Sequence, residues 1–104
     1  MANKWKDLKE MIDYSNNGII SKVIEKNDIG DVTLFGMSKD TEISEHTSTK
    51  QGYVYVIEGE GIFNLEGEEI PMKPGVLIFM DANAKHSLSA KENTTFILIL
   101  NKIF

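Results

Sequence analysis

Two histidines, His46 and His86, are the residues best suited to chemistry in this chain of 104 residues. The chain contains no cysteine, so imidazole nitrogen is its strongest donor for a transition metal. Both histidines lie in predicted strands, where alternate residues share a face. This alternation places His86 with Leu88, toward the interior, and His46 with Ser44 and Ser48. If the fold brings their rings together, the two histidines can form a metal site. If it does not, we expect hydrogen-bonded structural histidines.

Helical periodicity is confined to the N-terminal residues. Trp5, Leu8 and Ile12 recur at steps of three and four, which predicts a short α-helix within the first fourteen residues, anchored by Trp5. The sequence Asn-Asn-Gly at residues 16–18 ends it. We therefore expect residues 1–18 to pack as a helix and turn on a barrel formed by residues 19–104.

The rest of the chain is typical of an all-β domain, because short apolar segments are separated by Gly, Asn and Asp. Gly67 is expected to supply a positive φ in a hairpin, and Pro71 predicts an edge strand or loop. The predicted strands are Ile19–Glu25, Val32–Met37, Ile43–Ser48, Tyr53–Glu58, Gly61–Leu65, Glu68–Pro71, Val76–Phe79, His86–Ala90 and Thr94–Asn101.

Two of these strands are apolar on both faces, in residues 53–57 and 96–100. A strand with one face in water alternates instead, so both are predicted to be central. One face can fill a barrel interior, and the other must be covered by the N-terminal elements or by a second copy of the chain. We therefore expect a homodimer.

Two segments resemble the sequence motifs of the cupin superfamily. In residues 45–61, His46 matches the first histidine of the first motif and Gly59 its closing glycine. In residues 75–86, Gly75 and His86 keep the spacing of the second motif. The resemblance covers about the last two thirds of the chain. It implies a double-stranded β-helix, the jelly-roll-like cupin barrel, preceded here by the short N-terminal helix.

Two family ligands are replaced in this chain: Ser48 stands where a histidine is expected and Gly52 where the glutamate is expected. The resemblance therefore implies a divalent transition metal (zinc, nickel, manganese or iron) held by His46 and His86 alone, with reduced affinity. Solvent, a neighbouring side chain or a ligand atom must fill the space at Gly52, and a ligand carboxylate could supply the missing negative charge. The residues expected to line a small-molecule site at the barrel mouth are Ser48, Val54, Val56, Phe79 and Leu88.

Composition excludes several partner classes. The net charge is −5 and all eleven basic residues are lysine, which disfavours nucleic acid and anionic membranes as partners. The longest apolar run, residues 96–100, is far shorter than the roughly 20 residues of a membrane helix. The first ten residues alternate charges where a signal peptide would be apolar, so we expect a cytoplasmic protein.

Three functions agree with these patterns. The first is a small-molecule-binding cupin that uses the two histidines with or without a metal. The second is a metal-dependent enzyme, a dioxygenase or isomerase of the kind that the family includes. The third is a non-catalytic structural or regulatory dimer whose histidines are inert.

Overall fold

The structure, a computed structural model of the chain, describes residues 4–101. It contains nine strands and one turn of 3₁₀-helix, which spans Leu8–Met11. The strands are β1 (Ile19–Lys26), β2 (Gly30–Met37), β3 (Glu42–His46), β4 (Gln51–Glu58), β5 (Gly61–Leu65), β6 (Glu68–Met72), β7 (Leu77–Met80), β8 (His86–Ala90) and β9 (Thr94–Asn101). Every predicted strand is therefore present, with ends that differ by no more than two residues.

The strands form two antiparallel sheets that enclose a single apolar core. The five-stranded sheet has the order β1-β2-β9-β4-β7, and the four-stranded sheet has the order β3-β8-β5-β6. This is the predicted all-β, jelly-roll-like barrel. The core comprises Met37, Val54, Val56, Phe63, Met72, Ile78, Met80, Leu88, Ala90 and Phe96.

Three positional predictions are confirmed by this topology. Strands β4 and β9 both have neighbours on each side, as their two apolar faces require. Pro71 lies in β6, an edge strand, where its missing N–H interrupts no pairing on the open side. Glu66 and Gly67 form the β5–β6 hairpin with φ of 49° and 85°, the left-handed conformation that Gly adopts without strain.

The predicted N-terminal α-helix is wrong. The segment makes only the single 3₁₀ turn. The Asp7 carboxylate accepts from the Lys9 N–H at the start of this turn, and the backbone is already extended at Ile12. A helix this short is marginal unless an apolar face is buried, and Trp5 is 80% exposed. Residues 1–3 of the predicted helix and 102–104 of the predicted barrel lie outside the described residues.

The N-terminal segment nevertheless crosses the outer face of the five-stranded sheet. The Tyr14 hydroxyl donates to Glu58 Oε2 at 2.8 Å and also contacts the hydroxyl of Thr95 on β9. At Gly36, an added Cβ would lie 2.8 Å from the carbonyl oxygen of Asp13, so the close crossing requires glycine there. Within residues 4–101, no helix is long and apolar enough to span a bilayer.

Candidate functional site

A bulge in β3 brings the two histidines together. Ile43 pairs with Leu88, and His46 pairs with His86. Between these two pairs, β3 therefore advances by three residues and β8 by only two. The extra residue reverses the alternation and turns His46 to the side that Ile43 occupies. The prediction that His46 shares a face with Ser44 is therefore wrong, and Ser44 instead lines a groove on the outer surface of the four-stranded sheet.

The two imidazole rings are neighbours at one end of the barrel. Their centroids lie 4.1 Å apart with an angle of 61° between the planes. His86 is buried, at 7% exposure, and its ring stacks on Phe63 with centroids 5.7 Å apart and planes 3° from parallel. His46 is exposed. One imidazole is thus fixed against the core while the other faces solvent.

Backbone carbonyls select the same tautomer in both rings. His46 Nδ1 lies 2.8 Å from the carbonyl oxygen of Ser44, and His86 Nδ1 lies 3.0 Å from that of Ala84. A carbonyl oxygen only accepts, so Nδ1 carries the proton and donates in each case. The lone pair of each neutral imidazole is consequently on Nε2, the arrangement found in histidines that bind metals.

Burial keeps His86 uncharged. Loss of hydration lowers its pKa below the ordinary value of 6.5, and positive charge on His46 lowers the pKa further. The hydrogen bond to the Ala84 carbonyl opposes this shift, because it favours the protonated ring, but it is the smaller effect. His86 is therefore neutral at pH 7 and has a lone pair available on Nε2.

The position of the family's glutamate is closed by neighbouring side chains. A Cβ built on Gly52 would lie 2.8 Å from Leu100 Cδ2, 3.0 Å from the Ile99 carbonyl oxygen and 3.2 Å from Met80 Cε. Of the three occupants considered for this space, a neighbouring side chain is the one observed. A side chain at residue 52 would therefore have to displace the ends of two apolar side chains and approach the β9 backbone closely.

Ser48 links the two loops that flank the histidines. Its carbonyl oxygen accepts from the Asn83 N–H at 2.7 Å, and its Oγ accepts from the Lys50 N–H at 3.2 Å. The first bond ties the segment after His46 to the segment before His86. This hydroxyl therefore already has a partner in its own loop, and a ligand role for it stays a prediction.

The remaining predicted lining residues divide into two groups. Val54, Val56 and Leu88 are buried in the core, at 1%, 0% and 6% exposure. Phe79 is 65% exposed, because β7 directs the alternate residues Ile78 and Met80 inward. Phe79 therefore points away from the core that holds Val54, Val56 and Leu88, and the structure does not bring it together with them.

Sequence reasoning missed Phe63, which supports the buried imidazole. Phe63 pairs with Leu88 across β5 and β8, and its ring reaches the neighbouring His86. Alternation marks Phe63 as inward-facing, but the pairing of β5 with β8 is not encoded by spacing along the chain. Over residues 4–101, no cluster of three or more His, Cys, Asp or Glu side chains is arranged to hold a metal ion.

Comparison with known proteins finds a matching family model and solved structures of the same fold. A family model described as cupin domain matches residues 33–100. A conserved protein of unknown function from Streptococcus pyogenes superposes with a TM-score of 0.87 at 24% identity, covering 97% of this chain and 89% of its own. A cupin superfamily protein from Desulfitobacterium hafniense superposes with a TM-score of 0.86 at 18% identity, covering 92% of this chain and 88% of its own.

A curated relative resembles a shorter part of the chain. An oxalate-binding protein from Thermotoga maritima is 38% identical over 40 residues, which are 38% of this chain and 33% of the relative. The match therefore spans about a third of that protein's length.

Proposed function

The chain belongs to the cupin domain family, and we propose that it binds a small organic acid at His46 and His86, together with a divalent transition metal. One observation carries this proposal: two adjacent imidazoles have their Nδ1 atoms engaged by backbone carbonyls, which leaves both Nε2 lone pairs for a ligand. Zinc, nickel, manganese and iron all accept imidazole nitrogen.

The two imidazoles supply only part of the ligands that a divalent transition metal needs. Two neutral imidazoles supply no negative charge, and Gly52 supplies no carboxylate at the position of the family's glutamate. Anionic oxygen from the ligand would complete the set and balance the charge of the ion. When bound, the metal would supply a positive charge that attracts a carboxylate.

The composition of the chain supports a role for the metal in holding the acid. There is no arginine, and so no guanidinium to bind a carboxylate in bidentate fashion. Lys50, in the loop after His46, already forms an ion pair with Asp31 at 3.2 Å. A metal on the imidazoles is therefore the simplest source of positive charge for an anionic ligand.

We infer the class of acid from the name of the curated relative and from the number of ligand oxygens that can reach one metal ion. The name of that relative specifies oxalate binding. A compact dicarboxylate or 2-keto acid presents two oxygens that can reach one metal ion together. For this chain, we infer a ligand of that class, bound at the solvent side of the pair where His46 is exposed.

The roles of the chain's own residues follow from their surroundings. His86, held between Phe63 and the Ala84 carbonyl, keeps a fixed orientation and a neutral ring at pH 7. His46 is oriented by the Ser44 carbonyl but remains open to solvent, so it is the entry side of the site. The Ser48–Asn83 hydrogen bond maintains the spacing of the two flanking loops.

The test is calorimetric titration of zinc and of nickel into metal-free protein, with and without oxalate or a small 2-keto acid. The histidine pair must be free of competition, so the protein is purified without a histidine tag. We expect the acid to tighten metal binding by about 5- to 150-fold, the usual range of coupling between two ligands. Equal metal affinity with and without either acid would contradict the proposal.

Two variants assign the effect to the site. His46→Ala is expected to abolish coupled binding, because one of the two imidazole donors is lost. Ser44→Ala is the matched control, since it removes a side chain from the outer groove but keeps the backbone carbonyl that orients His46. Undiminished binding in His46→Ala would show that other residues hold the metal. Consumption of the acid during the titration would identify an enzyme instead of a binding protein.

A further inference from the structure

An ion pair lies on the inner face of the five-stranded sheet. Lys50 Nζ is 3.2 Å from Asp31 Oδ2. Along β2, Phe35 and Met37 pack on the core, and alternation directs Asp31 to the same side. Asp31 also pairs with Leu100 of β9, whose side chain lies beside the inward position of residue 52. The carboxylate of Asp31 therefore points into the barrel, and Lys50 reaches it across β9.

Chain topology places this pair and the two histidines at the same end of the barrel. Residues 38–41 join β2 to β3, and residues 91–93 join β8 to β9. Such short connections hold the end of one strand beside the start of the next. The start of β2, with Asp31, therefore lies at the same end as His46, the last residue of β3. By the same reasoning, His86 at the start of β8 lies at the end where β9 finishes.

Both members of the pair are partly shielded from solvent. The exposed fraction of the side chain is 17% for Asp31 and 31% for Lys50. Lys26 is the neighbour of Asp31 on β1, and Glu66 and Glu68 lie in the hairpin beside His86, but these three side chains are exposed. Water and salt screen exposed charges most strongly. The charge of Asp31 is therefore screened less than theirs, and Lys50 neutralises it.

The width of the barrel makes this charge relevant to a ligand on the histidines. Two packed sheets lie about 10 Å apart. At about 10 Å, a unit charge changes the affinity for a singly charged ligand roughly 2-fold at an effective dielectric constant of about 80, and roughly 15-fold at about 20. The interaction energy is proportional to the ligand charge, so a doubly charged ligand experiences the square of this factor. An unpaired Asp31 would therefore repel an organic acid and attract a metal ion.

We propose that the Lys50–Asp31 ion pair sets the charge preference of the histidine site. While the pair is intact, these two residues contribute no net charge at this end of the barrel, and an anionic acid can approach the metal. Without Lys50, the Asp31 carboxylate disfavours dianionic acids more than monoanionic ones. The proposal rests on the proposed function for the class of acid, but it also predicts a change in metal affinity that needs no acid.

Calorimetric titration of zinc into metal-free protein, and of pyruvate and malonate into zinc-loaded protein, tests the proposal. Pyruvate carries one negative charge and malonate two. Lys50→Gln should weaken pyruvate binding about 3-fold and malonate binding about 10-fold, and it should tighten zinc binding about 10-fold. Asp31→Asn should shift all three affinities in the opposite direction, because it leaves Lys50 unpaired. The double variant should return them to within about 2-fold of the wild type.

Lys39→Gln is the matched control. Lys39 Nζ lies 3.6 Å from Glu92 Oε1, but this exposed pair joins the connections at the opposite end of the barrel. The variant changes the net charge of the chain by the same amount as Lys50→Gln. Because distance and solvent screen its effect, it should leave all three affinities within about 2-fold of the wild type. Circular dichroism verifies that each variant folds.

The opposite signs expected for zinc and for the acids separate an electrostatic role from a structural one. Weaker binding of zinc and acids alike in Lys50→Gln would overturn the proposal, as would unchanged affinities or an equal shift in Lys39→Gln. Acid binding that stays weak in the double variant would show that Lys50 contacts the acid directly, which also contradicts it. If zinc affinity shifts as expected but the wild type binds neither acid, the ion pair has the proposed role and the proposed function is wrong. If neither the wild type nor Lys50→Gln binds zinc, both proposals are wrong.

Discussion

Gly52 occupies the position where the family has an acidic ligand, and replacing it by alanine tests whether the barrel interior is already full. The added Cβ would lie 2.8 Å from Leu100 Cδ2 and 3.0 Å from the Ile99 carbonyl oxygen. Both distances are shorter than ordinary van der Waals contact. The Leu100 methyl can move, but the carbonyl belongs to the β9 backbone that pairs with β4.

The expected cost is the difference between two opposing effects. Inserting one carbon into a packed interior costs about 1–3 kcal/mol. Replacing glycine restricts the unfolded chain, which returns about 0.4–1 kcal/mol at a position that other residues tolerate. These two ranges leave a net loss of about 0–2.6 kcal/mol in the free energy of unfolding, and we expect Gly52→Ala near the middle, at about 1–2 kcal/mol.

Urea unfolding followed by circular dichroism measures this loss. Gly18→Ala is the control, because the nearest neighbour of its added Cβ is 3.6 Å away, an ordinary contact. We expect that control to be neutral or up to about 1 kcal/mol more stable. In a Leu100→Ala background, the additional cost of Gly52→Ala should shrink, since the closest contact is gone.

A neutral or stabilising Gly52→Ala would refute the reasoning. It would mean that the space at residue 52 is open, and that this position could accept a carboxylate without rearrangement. The conclusion that neighbouring groups already fill the space at Gly52 would then be wrong.

Two further predictions concern hydrogen bonding and pH. Tyr14→Phe should cost about 1–3 kcal/mol in urea unfolding, because it leaves the fully buried Thr95 hydroxyl without its phenolic partner. Tyr53→Phe is the control and should change stability by less than about 0.5 kcal/mol. Equal effects of the two variants would contradict a stabilising role for the Tyr14–Thr95 hydrogen bond. Burial and Glu58 raise the pKa of Tyr14 to about 12, so this bond persists at neutral pH. In metal-free protein, the free energy of unfolding should fall as pH drops below 6.5, because unfolded His86 binds a proton that the native state resists through its lowered pKa. The free energy of unfolding then falls by up to about 1.4 kcal/mol per pH unit until the pKa of native His86 is reached. His86→Gln should lack this contribution. Superimposable pH profiles of the variant and the wild type would refute the prediction.

Local pattern was sufficient to predict the strands of this protein. Alternation and turn residues are properties of neighbouring positions, so all nine strands could be located, as could the edge position of Pro71 and the positive φ of Gly67. The cupin barrel followed from two short motifs, and the family match over residues 33–100 confirms it. The short helix failed because helical periodicity does not guarantee an apolar face to bury, and Trp5 remains exposed.

The site depended on information that spacing does not contain. Residue type and predicted strand position indicated His46 and His86 as the candidate ligands. Strict alternation, however, placed the His46 side chain on the face of Ser44, which is the wrong face of β3. Only the β3 bulge, which forms against β8, places the two rings 4.1 Å apart. Phe79 was expected beside Val54, Val56 and Leu88, but the pairing of β7 with β4 directs Ile78 and Met80 inward and Phe79 outward.

Sequence by itself therefore determined which segments are strands, which of them are central, and which two side chains offer nitrogen donors. Tertiary structure alone decided that those donors meet, and that Met80, Leu100 and the Ile99 carbonyl crowd the position of Gly52. The physical reason is that strand formation depends on nearest neighbours along the chain. Side-chain direction at a site depends instead on register between strands, where one inserted residue reverses every face that follows.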